Sequence, residues 1–232
     1  VVAETYDGML NDINGLDISE AHARAALNNA VTGQISEGNV GGGTGMICYE
    51  FKGGTGTSSR QIKISENQYQ VAALVQANHG RREDLTILGS PVGKHFTHDL
   101  MPRDLEFGSI IVIIATDAPL MPHQLKRLAK RGTIGIARGG TTGENGSGDI
   151  FLAFSTANEV PIESMSRVNN EFEWAGDDLC NSIYEAAVQS VEEAVVNALI
   201  AAESMDTLRP FGFPCSAINP TDLVTIVNRY QR

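Results

Sequence analysis

The sequence predicts an α/β fold in which β-sheets form the core and helices cover the outer faces. The first observation is residues 110–115, an apolar and mostly β-branched run that is typical of a strand buried on both faces. The second is residues 177–205, where apolar positions recur at the spacing of a long amphipathic helix: Leu179, Ile183, Ala187, Val191, Val195, Leu199 and Ala202. The order of helix, several strands, helix, strand, long helix and short helix places sheets inside and helices outside.

The first half of the chain predicts one helix and a meander of short strands. The helix spans residues 20–31, with Ser19 as its N-cap and Gly33 beyond its end. A short apolar run, residues 46–51, lies between two glycine-rich segments. Short segments bounded by turn residues then predict strands at residues 60–65, 69–78 and 84–89.

The second half begins with a long surface connection, residues 92–108, which leads into the strand that starts at Ser109. Pro122 suits the first position of a helix that ends at Gly132. Residues 133–138 are interpreted as the end of a strand, and a glycine-dense loop then leads into a strand from Ile150. A last helix is expected to begin at residues 219–220, and the whole chain, residues 1–232, is expected to form a single domain.

Composition limits the classes of function. The chain has 232 residues, a net charge of −11 and only 17 Lys and Arg, so no nucleic-acid partner is expected. Cys48, Cys180 and Cys215 have no CxxC spacing, as expected of reduced thiols in a cytoplasmic protein. No apolar run reaches bilayer length, so no membrane partner is expected. The chain opens without methionine or a signal peptide, from which we expect a processed or truncated start.

Familiar catalytic and cofactor motifs are not found. The glycine runs fit neither a P-loop nor a dinucleotide fingerprint, so no cofactor is expected. Ser147 does not fit G-x-S-x-G, because Asn145 occupies the position of the first glycine. His95, His98 and Asp99 are interpreted as solvated loop residues, so no metal is expected.

Ser109 lacks a histidine partner in the local sequence. A hydroxyl can be activated without histidine if its residue becomes N-terminal, because the α-amine then serves as the base. Such an amine has a pKa of about 7.7 to 8.0, close to working pH. Gly108, which precedes Ser109, would tolerate the contorted backbone of self-cleavage. A plain Gly-Ser turn that enters a strand is the alternative.

Five long segments, in this order, resemble one family: "VVAETYDGMLNDING", "GNVGGGTGMI", "VQANHGRR", "GSIIVIIATDAPLMPHQLKRLAKR" and "ENGSGDIFLAFSTAN". The family is that of the self-processing aminopeptidases, which contains the L-aminopeptidase/D-Ala-esterase/amidase and the β-aminopeptidases. The resemblance implies a four-layer αββα sandwich like that of the N-terminal-nucleophile hydrolases, with different connectivity. It also implies cleavage between Gly108 and Ser109 into residues 1–108 and 109–232.

The resemblance further implies the roles of the site residues. Ser109 would be the nucleophile, and Ser147 and Asp149 would lie beside it to orient groups and relay the proton. The family pattern often has Glu where this chain has Asp149. Asn78 would donate its amide to the oxyanion, Tyr6 would bind or polarise the acyl group, and Glu4 would pair with the amino group of the substrate.

These features predict a serine aminopeptidase that acts on short peptides, amides or esters through an acyl-enzyme on Ser109. Its assembly is expected to be a tetramer of cleaved heterodimers. Relatives usually carry a sizeable portion ahead of "ETYDG", and we expect that portion to have been removed or to come from another chain. The alternatives are an acyltransferase of the ornithine acetyltransferase type, which cleaves before threonine, and a non-enzymatic ligand-binding protein that stays intact.

Overall fold

The computed structural model describes residues 3–101, 108–159 and 171–231, which form a mixed α/β structure. The helices are α1 (Glu20–Asn28), α2 (Pro122–Ala129), α3 (Gly132–Arg138), α4 (Cys180–Ile200) and α5 (Pro220–Tyr230). The strands are β1 (Ile47–Cys48), β2 (Phe51–Lys52), β3 (Gly54–Ile64), β4 (Asn67–His79), β5 (Gly108–Thr116), β6 (Ile150–Ser155), β7 (Met205–Leu208) and β8 (Phe211–Cys215). Within these ranges no helix has both the length and the apolarity needed to cross a membrane.

The central element is a four-stranded sheet in the order β3-β4-β5-β6. β3, β4 and β5 pair antiparallel, and β6 joins β5 in parallel. β4 pairs with β3 on one side through residues 67–77 and with β5 on the other through residues 71–79. β4 and β5 are therefore the interior strands, as expected for the apolar run that starts at Ile110.

Helix α4 covers one face of this sheet. Ser190 donates a hydrogen bond to the carbonyl of Val71 (3.3 Å), and Asn197 donates to the carbonyl of Thr57 (2.8 Å). Gly56 permits the close approach, because a Cβ there would collide with the backbone of Ala194. The core between helix and sheet includes fully buried side chains from β4, β5 and α4: Val71, Val75, Ile110, Val112, Ile114, Ile183, Val191 and Leu199.

The opposite face of the sheet is apolar and partly open. Along β6, alternate side chains face away from α4, and Ile150, Leu152 and Phe154 are 36%, 38% and 42% exposed. A sheet that buries one face against helices and presents apolar side chains on the other has the character of an inner layer of a sandwich. Near Gln76, this face is covered by the N-terminal segment through Thr5 and by the glycine-rich segment through Gly42.

Most predicted helices are confirmed. Pro122 begins α2, and Asn219 caps α5 by accepting hydrogen bonds from the amides of Thr221 (2.9 Å) and Asp222 (3.2 Å). α4 has the predicted apolar spacing and ends at Ile200, ahead of the predicted limit. α1 also forms, three residues shorter than predicted, but none of its residues is buried and Leu27 is 78% exposed.

Two predictions about elements were wrong. Residues 133–138 lie in helix α3, because Gly132 and Gly135 let it pack closely on β6 and α4. Residues 84–89 form no strand, and only an isolated bridge between Ile87 and Ser90 is present there. The glycine-rich residues 54–59, for which no element was predicted, belong to β3, and Gly56 there lies directly beneath α4. The hairpin of β7 and β8 was not predicted. Residues 102–107 of the predicted long connection lie outside the described residues.

Candidate active site

Ser109 is the second residue of β5 and lies directly opposite Asn78 of β4 in the antiparallel register. Residues that face each other across an antiparallel pair project their side chains from the same face of the sheet. This is the face away from α4. Ser109 is half-buried, and its Oγ accepts a hydrogen bond from the backbone amide of Gly148 (3.0 Å). The register therefore places a serine hydroxyl beside an amide side chain and a backbone donor.

The Asn78 side chain is 6% exposed, and both the oxygen and the nitrogen of its amide make hydrogen bonds. Its Oδ1 accepts from the backbone amide of Ile47 (2.8 Å), and its Nδ2 donates to the carbonyl of Tyr6 (3.0 Å). These bonds fix the orientation of the side chain. An Asn Nδ2 has two hydrogens, so one remains for a further acceptor.

Ser147 and Asp149 lie on the loop that precedes β6. The Ser147 hydroxyl donates to Oδ1 of Asp149 (2.5 Å), and the same oxygen accepts from the backbone amide of Ile110 (3.2 Å). A Cβ placed on Gly108 would lie 3.6 Å from the Ser147 Oγ. The Ser147–Asp149 pair therefore flanks the Gly108–Ser109 peptide from the side of α4, whereas the Ser109 hydroxyl projects to the other side.

Tyr6 and Glu4 lie on the N-terminal segment that runs along the Asn78 side of β4. Thr5, between them, accepts a hydrogen bond from Gln76 and donates to the sulfur of Met46 (3.1 Å). The Tyr6 carbonyl reaches Asn78, while the phenol bends back over Gly8 and is 62% exposed. Glu4 is exposed. The structure thus brings the backbone of Tyr6 to Asn78, and the Tyr6 phenol and the Glu4 side chain are both exposed.

The glycine-rich segment 38–45 lets backbone pack against this end of β4. Gly42 lies so close to the Gln76 side chain that a Cβ would collide with it. Buried Lys52 holds the segment by donating to the carbonyls of Gly43 (3.1 Å) and Gly53 (2.7 Å). Burial lowers the pKa of this amine to about 8. The glycines thus bring residues 41–47, and the Ile47 amide, up to Asn78.

His79 is a buried polar residue beside the site that the sequence reasoning missed. It is 1% exposed and follows Asn78, so its ring lies on the α4 side of the sheet. Burial lowers the pKa of the imidazole to about 4, although the Asp149 carboxylate acts in the opposite direction. The ring is therefore neutral near pH 7. Gly148, whose amide contacts Ser109, was also missed, because a backbone donor leaves no signal in residue type.

The loop histidines lie elsewhere. His95 shares a hydrogen bond with the hydroxyl of Tyr230 (2.8 Å), and Asp99 accepts one from Ser216 (3.0 Å). Among residues 3–101, 108–159 and 171–231, no cluster of three or more His, Cys, Asp or Glu side chains could hold a metal ion. Cys48, Cys180 and Cys215 are buried free thiols.

Comparison with curated proteins identifies two close relatives. The chain is 45% identical over 246 aligned residues to the beta-peptidyl aminopeptidase BapA of Sphingosinicella microcystinivorans, covering 100% of this chain and 61% of that protein. It is 42% identical to the BapA of Sphingosinicella xenopeptidilytica, covering 92% of this chain and 57% of that protein. The chain thus spans about three fifths of the length of these relatives.

Solved structures show the same fold. The L-aminopeptidase D-Ala-esterase/amidase of Ochrobactrum anthropi, described as a variant of the Ntn hydrolase fold, superposes with a TM-score of 0.92 at 52% identity, over 98% of this chain and 62% of that one. A beta-aminopeptidase of a Burkholderia species superposes with a TM-score of 0.88 at 44% identity, over 97% and 63%. The predicted fold class and the predicted resemblance are confirmed. Since the model of peptidase family S58 also matches residues 1–210, the chain belongs to peptidase family S58.

Proposed function

We propose that this chain is the catalytic part of a self-processing serine aminopeptidase, in which Ser109 becomes the N-terminal nucleophile. The observation that supports this most directly is the convergence at one peptide bond. Asn78 faces Ser109 across the sheet, Gly148 donates to its hydroxyl, and the Ser147–Asp149 pair flanks the other side. An N-terminal nucleophile needs a hydrogen-bond donor for the oxyanion and polar groups beside the α-amine that cleavage would create at Ser109.

The first reaction would be the cleavage of the precursor. The Ser109 Oγ attacks the carbonyl carbon of Gly108, the carbon–nitrogen bond breaks, and the hydroxyl proton passes to the Ser109 nitrogen. The resulting ester between Gly108 and Ser109 is hydrolysed by water. The products are residues 1–108, ending in a carboxylate, and residues 109–232, beginning with a free amine. We propose that the two parts remain one folded domain.

Turnover would repeat these steps on a substrate. The α-amine of Ser109 accepts the proton of Oγ as the oxygen attacks the substrate carbonyl, and returns it to the leaving amine or alcohol. Asn78 donates to the oxyanion, and the Ser147–Asp149 pair orients the amine. Water then releases the acyl group from Ser109. Tyr6 would contact the acyl group, and Glu4 would pair with the ammonium of the substrate.

The proposed substrates are short peptides, amides or esters with a free amino terminus. The names of the relatives, beta-peptidyl aminopeptidase and L-aminopeptidase D-Ala-esterase/amidase, support this class. We also propose a cytoplasmic location, supported by the three free thiols, and an assembly of four cleaved heterodimers. Cell fractionation tests the location, and light scattering tests the assembly.

The decisive experiment is intact mass spectrometry of freshly purified protein under denaturing conditions. Self-processing gives two fragments, residues 1–108 and 109–232, and Ser109→Ala gives one species of 24.8 kDa without aminopeptidase activity. Ser59→Ala, an exposed serine on β3, is the matched control and should process normally. A Ser109→Ala protein that still divides at this bond would exclude the mechanism.

An acyltransferase of the ornithine acetyltransferase type is the second candidate, because it would share the self-cleaving architecture. Ser109, where that type cleaves before threonine, favours the aminopeptidase. Processed protein should release amines from aminoacyl amides and should not move an acetyl group from acetylated ornithine to glutamate. The opposite pattern would favour the acyltransferase, and an intact chain without either activity would favour a ligand-binding protein.

A further inference from the structure

His79 is the residue that faces Gly108, the acyl side of the proposed cleavage site, across the β4–β5 pair. Its carbonyl accepts a hydrogen bond from the amide of Tyr49 (2.7 Å), so its backbone groups point away from β5. His79 and Gly108 therefore form a non-hydrogen-bonded pair, in which facing Cα atoms are about 4.5 Å apart and side chains are closest. Because Gly108 has no side chain, the space next to the His79 ring is left for other groups.

Ser147 lies on the same side of Gly108. The Cβ that Gly108 lacks would point to the Ser147 side chain, 3.6 Å from its Cβ and Oγ. Facing residues project to one face of the sheet, so the imidazole and the Ser147 hydroxyl both lie on the α4 side. The Asp149 carboxylate, which accepts from Ser147, is also close enough to influence the imidazole.

One ring nitrogen of His79 has no protein partner among the described residues. Nδ1 lies 3.8 Å from the sulfur of Cys48, and the ring packs edge-on against Tyr49 at 5.2 Å between centroids. Nε2 is buried and makes no hydrogen bond within the described part of the chain. Leaving a buried polar atom unpaired is costly, so an apolar ring of the same size would fit this site at least as well for stability alone. A role other than packing is therefore indicated.

We propose that His79 is a positioning residue for the Ser147–Asp149 pair. As the Gly108–Ser109 junction rearranges, Nε2 of His79 donates a hydrogen bond to the Ser147 hydroxyl. This bond holds the pair against the junction. This inference rests on the proposed function. A neutral imidazole has one donor and one acceptor, and a thiol at Nδ1 favours the tautomer with hydrogen on Nε2. Ser147 gives its only proton to Asp149 and keeps lone pairs to accept from Nε2.

Substitution of His79 by glutamine or by asparagine distinguishes the roles of the two ring nitrogens. A glutamine side chain reaches the place of Nε2, and an asparagine side chain reaches only the place of Nδ1. His79→Phe keeps the volume and removes both nitrogens. We expect His79→Phe to melt no lower than the native sequence and to process at least ten-fold more slowly, with a lower kcat and little change in KM. His79→Gln should recover much of the rate, and His79→Asn should not.

The measurement is the half-life of the intact precursor by mass spectrometry, followed by kcat and KM on an aminoacyl amide. Ser190→Ala is the control, because it removes another buried polar group on the same face, at the far end of β4. It should process normally. If the native sequence divides, Ser109→Ala does not, and His79→Phe matches the native rate, the inference about His79 is wrong and the proposed function stands.

Two other outcomes are equally informative. If His79→Phe does not fold, the Gln and Asn variants decide, and equal processing by both overturns the role of Nε2. If the native sequence remains intact while it is folded, both the proposed function and the role of His79 are overturned. If His79→Gln processes faster than His79→Asn, and Ser190→Ala processes normally, the positioning role is supported.

Discussion

Asn78 faces Ser109 directly across the β4–β5 ladder, and its amide is fixed by Ile47 on one end and Tyr6 on the other. The donor for the proposed oxyanion is therefore held by two segments that are distant in sequence, residues 3–11 and 41–47. A donor fixed before the reaction needs no reorganisation as charge develops, which is the main source of electrostatic catalysis.

Asn78→Ala should lower kcat by roughly 10² to 10³, the usual effect of losing one oxyanion donor. It should also lower the free energy of unfolding by about 1–3 kcal/mol, because the buried Ile47 amide loses its acceptor. Steady-state kinetics and urea unfolding measure the two effects. Asn158→Ala is the matched control, since Asn158 also bonds through both ends, to the backbone of Glu173, but lies away from the site. Similar kinetic losses in both variants would contradict the oxyanion role.

In the processed protein, Asp149→Asn should reduce kcat by about 10² or more, because a neutral amide cannot hold the ammonium form of the Ser109 amine. Asp149→Glu should retain most of the activity, since the family pattern places a carboxylate with one more methylene here. Both variants keep an acceptor for the amide of Ile110. The measurement is kcat of the fully processed protein. An active Asn variant would show that the charge is dispensable and that only the hydrogen bond matters.

The sequence was sufficient for the elements whose pattern is strong and local. The apolar run of β5, the helical spacing of apolar residues in α4 and the Asn219–Pro220 start of α5 each indicate a single type of element. Residues 133–138 were assigned wrongly, because their alternating apolar residues suit a strand, and only the packing of Gly132 and Gly135 against neighbours favours a helix.

The site was only partly accessible from the sequence. The resemblance to a family indicated the site residues Ser109, Asn78, Ser147 and Asp149. The register that places Asn78 opposite Ser109 could not be predicted, because it depends on how two strands distant in sequence pair. His79 was passed over, since a histidine at the end of an apolar strand has the same pattern as a core residue. Its position beside Gly108 follows only from the fold.

Gly108→Ala should fold normally and process more slowly. Gly108 lies in regular extended strand without a positive φ, and an added Cβ would meet Ser147 at 3.6 Å, an ordinary contact. The melting temperature should therefore stay the same or rise slightly. The attack of Ser109 requires the Gly108 carbonyl to leave this geometry, and a Cβ makes that distortion more costly, which should slow processing on the order of ten-fold.

The half-life of the precursor and its melting temperature test this prediction. Gly176→Ala is the control, because a Cβ at Gly176 would meet nothing within 4 Å. A Gly108→Ala protein that processes at the native rate would show that glycine has no special role at this bond. A variant that fails to fold would show that the site is more tightly packed than the contacts with Ser147 indicate.

His79 should make the intact precursor less stable in acid. Its pKa is lowered to about 4 by burial, whereas an unfolded histidine titrates near 6.5. Between these values the unfolded chain binds a proton that the folded chain does not. The free energy of unfolding is therefore unaffected by this titration above about pH 6.5. It falls as the pH is lowered toward 4, by about 3 kcal/mol in total.

The test compares Ser109→Ala with Ser109→Ala/His79→Phe, so that both proteins remain uncleaved. Among the residues that the structure describes, the charged and titratable groups that face the ring are Cys48, Tyr49 and Asp149. Burial raises the pKa of the Cys48 thiol to about 12 and also raises that of Tyr49, so neither titrates between pH 4 and 6.5. Urea unfolding across this range should show a shallower loss of stability in the double variant. Parallel curves would mean that the imidazole has the same pKa in the folded and unfolded protein, and the predicted lowering of its pKa by burial would be wrong.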